Sequence, residues 1–173
     1  MTDIFVVQRH TGNLEGIRSL VDKVGTPNNI QYFNFPDDVI SVASNADIIV
    51  SGNVFESMRY KSGKDFARDL KRLHPEVFFI MYSTMPMRSA CVDAYIDKPC
   101  GTGSNHTLHK PLVDVITHPS IGDLLRSRDF EKIRKMFPQI EGVENLPRNF
   151  GEQAMWKMDE LFQKVIEKHV ESN

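Results

Sequence analysis

The feature that most constrains this chain is a repeated alternation of short apolar runs with amphipathic stretches before residue 119. "DIFVVQ" (3–8) is β-branched and aromatic, the composition of a strand buried on both faces. "TGNLEGIRSLVDKVG" (11–25) sets Leu14, Ile17, Leu20, Val21 and Val24 at helical spacing and stops on Gly25. The pattern then repeats. "NIQYFNF" (29–35) reads as a strand, and "PDDVISVASN" (36–45) as a short helix whose first-turn acids suit the helix dipole. "DIIVSG" (47–52) is a third strand, and "GKDFARDLKRLH" (63–74) a helix with Phe66, Leu70 and Leu73 on one side. "VFFIMYS" (77–83) and "AYID" (94–97) complete five strands.

Strands alternating with helices require right-handed crossovers and a parallel sheet covered on both faces. The expected fold is therefore α/β, a doubly wound five-stranded parallel sheet of the flavodoxin-like kind. Function in such sheets sits at the carboxyl ends of the strands. Those ends carry Gln8, Arg9 and His10, then Ser51, Gly52 and Asn53, then Ser83 and Thr84, and last Lys98 and Pro99. After residue 119 the pattern turns to helices only. One or two short helices are expected over 120–137, stopped by Pro138, and a long amphipathic helix over 146–170. The expected division is a domain over 1–119 and a helical C-terminal extension over 120–173.

Charge narrows the function classes. The net charge is −2, and residues 120–173 hold nine Lys or Arg against ten Asp or Glu. Neither offers the basic face that nucleic acid demands. No apolar run approaches the roughly 20 residues of a membrane-spanning helix. The start, "MTDIFVVQRH", reads directly as a strand without the pattern of a signal peptide, which points to the cytoplasm. Cys91 and Cys100 are then expected to be reduced thiols.

At this point the residues resemble the receiver domain of two-component response regulators, over roughly 1–118. The matching pieces are "VFFIMYS", with Ser83 as the hydroxyl after strand four, and "VDAYIDKP", with Tyr95 as the switch aromatic, Lys98 as the phosphate-sensing lysine and Pro99 after it. The resemblance implies a receiver topology, a pocket at the strand ends and a partner surface around Tyr95. Active receivers need two carboxylates after strand one to hold Mg²⁺ and an acceptor aspartate after strand three. Here the first pair aligns with Gln8 and Arg9, and the acceptor falls on Ser51 or Gly52. None is acidic. A gap of 14 residues between Ser83 and Lys98 also shortens the helix that such domains carry there.

These departures imply a degenerate receiver pocket made of Gln8, Arg9, Ser51, Gly52, Ser83 and Lys98. With Arg9 beside Lys98 it repels Mg²⁺ and favours a small anion. The blander reading leaves Lys98 an inherited lysine, satisfied by backbone carbonyls or by Glu56 or Asp97. The expected function is a phosphorylation-independent signalling module, not an enzyme, acting through a protein partner or a homodimer. Its interaction surface is expected to include Tyr95, Pro99, Trp156, Leu161 and Phe162, without a cofactor or a metal. The alternative is a flavodoxin-like nucleotide- or phosphate-binding domain using the Cys100–Asn105 loop, where Gly-Thr-Gly precedes a helix. That loop lacks the spacing of a phosphate-binding fingerprint. His106, His109 and His118 have no acid or cysteine at ligand spacing.

Overall fold

A computed structural model describes residues 1–84, 89–100 and 106–142. The strands are β1 (Asp3–Val7), β2 (Asn29–Phe33), β3 (Ile48–Ser51), β4 (Phe78–Ser83), β5 (Ala94–Asp97) and β6 (Ile140–Glu141). They form one sheet in the order β2-β1-β3-β4-β5-β6, parallel throughout except for the antiparallel β5–β6 pair. The order 2-1-3-4-5 is that of the flavodoxin-like doubly wound fold.

The helices are α1 (Thr11–Val24), α2 (Pro36–Ile40), α3 (Gly63–Leu73), α4 (Lys110–Ile116), α5 (Ile121–Ser127) and α6 (Phe130–Met136). Strand alternation sends side chains to two separate cores. Ile4, Val6, Val50, Ile80 and Ile96 pack with apolar residues of α1, α4, α5 and α6. Phe5, Val7, Ile49, Phe79 and Met81 pack with those of α2 and α3. The two-sided coverage is why the strands read as unbroken apolar runs.

Local chemistry sets the helix ends. Gly25 closes α1 at φ 73°, a left-handed value that suits glycine. Ser62 caps α3 by accepting the Asp65 N–H at 3.1 Å. Residues 36–45 form the short α2 and a separate 3₁₀ turn, Ala43–Asn45, instead of one continuous helix.

Two features differ from the sequence expectation. A strand follows α6 where helices alone were expected. Ile140 pairs with Ile96 and Glu141 with Tyr95, covering the open edge of β5. The sheet therefore has six strands, five of them parallel. Second, Ile121, Leu124, Leu125, Phe130, Ile133, Phe137 and Ile140 enter the same core as β1, β4 and β5. The described part of the expected extension, 120–142, thus shares a hydrophobic core with the sheet. Gly122 lies so close to β1 that a Cβ there would stand 2.4 Å from Thr2 Oγ1. The rest of the expected extension, with Trp156, Leu161 and Phe162, lies outside the described residues. No described helix is long and apolar enough to cross a membrane.

Candidate functional site at the carboxyl edge of the sheet

The chain leaves β1, β3, β4 and β5 at the same edge of the sheet, and the four exits surround a cleft of about 180 Å³. From the β1 exit come Gln8, Arg9 and His10, and from the β3 exit Gly52, Asn53 and Val54. Tyr82, Ser83 and Thr84 arrive from β4, and Lys98 from β5. The Lys98 N–H donates to the Ser83 carbonyl at 3.0 Å, which carries the β4–β5 pairing one residue further and sets the lysine beside the serine.

Five of the six expected pocket residues are brought together: Gln8, Arg9, Gly52, Ser83 and Lys98. Ser51 is not with them. It is fully buried, and its hydroxyl donates to the Gly52 carbonyl at 3.0 Å. Alternation along β3 turns Ser51 away from the opening and leaves Gly52 on the cleft. Glycine fits there because a Cβ would crowd the Gln8 amide, at 3.2 Å from Oε1.

The charges are arranged unequally. Arg9 pairs with Glu56 at 2.6 Å, which gives Glu56 a partner other than Lys98. Among the described residues Lys98 makes no ion pair, and Asp97 beside it is exposed. Half-buried, Lys98 has its ammonium pKa pushed below the ordinary lysine value by desolvation. Gln8 is 4% exposed, and its Nε2 has no hydrogen-bond partner among the described residues. A buried donor without an acceptor costs free energy that an incoming acceptor recovers. Among the described residues no carboxylate lines the cleft. Among the described residues no group of three or more His, Cys, Asp and Glu could hold a metal.

Asn13, Val54 and Tyr82 also line the cleft and were not anticipated. Tyr82 sits one residue before Ser83, and its hydroxyl meets His109 Nδ1 at 3.0 Å. Burial pushes that phenol well above its usual pKa, so it stays neutral. The hydroxyl tethers the cleft wall to the turn before α4. His109 is thereby used in the core, apart from His118, whose ring stands edge-on to Phe137.

The expected interaction surface is altered. Tyr95 is 7% exposed, with its hydroxyl accepting the Ser89 N–H at 2.7 Å. Gly142, at φ 86°, lies against its ring, where a Cβ would be 2.8 Å from Cδ2. The ring is held in the core by β6, so it is not a surface aromatic. Pro99 is half-buried, Cys91 is buried as expected of a packing residue, and Cys100 is exposed. Residues 101–105 of the glycine-bearing loop lie outside the described residues.

No family model matches the chain, and no curated protein matches it. Solved receiver domains overlay on it. The BeF3-activated DrrB receiver domain does so at 18% identity and TM-score 0.46, over 64% of this chain and 93% of that one. The isolated REC domain of RcsB from Salmonella enterica serovar Typhimurium, with phosphomimetic BeF3−, gives 16% identity and TM-score 0.46, over 71% and 97%. The signal receiver domain of an HD domain-containing protein from Pseudomonas fluorescens Pf-5 gives 14% identity and TM-score 0.48, over 58% and 84%. The fold assignment rests on the strand order and not on these overlays. By that order the class is a flavodoxin-like α/β domain, receiver-like in topology.

Proposed function

We propose that the chain is a response-regulator-like signalling module that works without phosphoryl transfer and without catalysis. It acts by docking a protein partner or a second copy, and a small oxyanion in the cleft tunes that docking. One observation carries the reading: Lys98 stands in a cleft that no carboxylate of the described residues lines. Acyl-phosphate chemistry needs a carboxylate nucleophile and a metal held by oxygen ligands. The lining offers instead an ammonium and the unused Gln8 donor, both suited to an acceptor oxygen.

The test is incubation of the purified chain with acetyl phosphate and Mg²⁺, followed by intact-mass analysis. No phosphoryl adduct is expected, while sulfate or phosphate raises the melting temperature and Mg²⁺ alone does not. A stable adduct overturns the reading. Stabilisation by a nucleotide or flavin, and not by sulfate, overturns it in favour of a nucleotide-binding domain. Sedimentation at two concentrations decides between a partner protein and a second copy.

A further inference from the structure

A second opening, a groove of about 270 Å³, lies between the start of α2 and the loop after β3. It is lined by Phe35, Asp37, Asp38, Glu56, Ser57 and Met58. We propose that this groove is a docking site for a basic, leucine-like apolar segment of a partner protein. The proposal names the partner chemistry that the signalling reading leaves open, and rests on that reading.

Three observations support it. Met58 is fully exposed and Phe35 is 41% exposed, so two large apolar side chains face water on one opening. Methionine is unbranched and polarisable, which suits it to an apolar partner of irregular shape. Second, three carboxylates and, among the described residues, no basic side chain line the groove; Glu56 is paired with Arg9 at 2.6 Å, while Asp37 and Asp38 have no ion pair among the described residues. Of the nearby cations, Arg59 pairs with Asp69 at 2.8 Å, and Lys61 donates to the carbonyl of the lining residue Ser57 at 3.1 Å. Third, Asp37 Oδ2 is shielded from solvent and has no hydrogen-bond partner among the described residues. An arriving guanidinium or ammonium supplies the missing donor.

Charge complementarity selects this occupant over the others. A second copy docking face to face would set the same acids against one another. Residues 143–173 of the chain itself hold six acidic side chains against four basic ones, a poor match to an acidic groove. Nucleic acid and anionic membrane are repelled.

The isotope-labelled chain of 173 residues is titrated with a synthetic arginine–leucine peptide while amide shifts are followed. Matched arginine–glycine and glutamate–leucine peptides serve as controls. The arginine–leucine peptide is expected to move the amides of Phe35, Asp37 and Met58, and the glutamate–leucine peptide none. Asp37→Asn with Asp38→Asn weakens binding about threefold to tenfold. Met58→Ser weakens it about tenfold, and Glu15→Gln leaves it unchanged. Equal affinity for the arginine–glycine peptide overturns the proposal, because charge alone then suffices. So does binding that ignores all the groove variants. Self-association abolished by Met58→Ser also overturns it, in favour of a second copy. The acetyl phosphate experiment is independent of every one of these outcomes, so failure of the groove and failure of the signalling reading are told apart.

Discussion

The cleft and the groove are neighbours of opposite character, separated by one ion pair. The cleft is polar, holds Arg9 and Lys98, and has no carboxylate among its described lining residues. The groove exposes two large apolar side chains, Phe35 and Met58, and holds three carboxylates, with no basic residue lining it among the described residues. Arg9 belongs to the first and Glu56 to the second, and they touch at 2.6 Å. The contrast teaches how one loop is divided. The chain after β3 turns Gly52 and Asn53 toward the cleft and Glu56 to Met58 toward the groove. It is closed on itself by the Val54–Ser62 bridge and by the Phe55 N–H to Lys61 carbonyl bond at 3.1 Å.

If the two sites share a scaffold, damage beneath them should remove both together. Lys71 and Asp93 form a buried pair at 2.5 Å; Lys71 also donates to the Val77 carbonyl, and Asp93 accepts the Phe79 N–H, both at 2.7 Å. This network ties α3 to the starts of β4 and β5. Lys71→Met leaves Asp93 buried without its cation and should destabilise the chain by about 3–5 kcal/mol. Urea unfolding measures the loss, and a loss under about 1 kcal/mol would show that the pair is not a shared support. A smaller lesion acts on the shared loop itself. A Cβ at Gly63 would stand 2.2 Å from the Gly52 carbonyl oxygen, a backbone atom that cannot swing aside. Gly63→Ala should cost about 1–3 kcal/mol and weaken both sulfate and peptide binding. If only one ligand is affected, the loop does not join the sites.

Lys98→Met should instead separate the sites. It abolishes the rise in melting temperature that sulfate causes and leaves peptide binding intact. Its effect on stability has a definite sign. Burial lowers the folded-state pKa of Lys98, so between that value and the ordinary 10.5 the unfolded chain binds more protons than the folded one. Stability therefore rises with pH across that window, and the penalty for the buried charge is complete below it. Lys98→Met removes the penalty and makes the chain slightly more stable at neutral pH, by less than about 1 kcal/mol because the side chain is only half-buried. A variant less stable than the parent would mean that Lys98 has a carboxylate partner. Sulfate binding by the parent chain should fade as pH climbs through the lowered value.

How much of this was legible in the sequence depends on the length of the pattern that carries it. Strands β1, β3, β4 and β5 are long enough to read as unbroken apolar runs and helices α1 and α3 to show their period, and the cleft follows from them because strand ends in a parallel sheet share one edge. Strand β6 has two residues, too few to alternate, so nothing in "IE" marked it. The burial of Tyr95 is hidden in the sequence for the same reason, since Glu141 of β6 pairs with it and that strand has no pattern of its own. The partner of Arg9 and the turning of Ser51 depend on side-chain direction in a non-periodic loop. The groove was beyond reach, because Phe35 and Met58 come from different connections and no local spacing relates them.

The smallest expected effect concerns the ion pair between the two regions. Arg9 is 30% exposed and Glu56 72%, so their attraction is screened and worth no more than about 1 kcal/mol. An anion bound in the cleft competes with Glu56 for Arg9. A basic peptide in the groove competes with Arg9 for Glu56. Each ligand therefore weakens the same contact, and each should favour the other, by the same factor in both directions. Since the contact is weak, the coupling is bounded at about fivefold or less. Glu56→Gln should erase it: sulfate then no longer alters the affinity of the arginine–leucine peptide, whereas in the parent chain it tightens binding by a few-fold. Titrating the peptide with and without sulfate, at constant ionic strength, measures the factor directly. Coupling that survives Glu56→Gln would place the link elsewhere, in the backbone of the loop at Gly52 and Gly63. A factor well above fivefold would mean the same, because one exposed ion pair cannot transmit more.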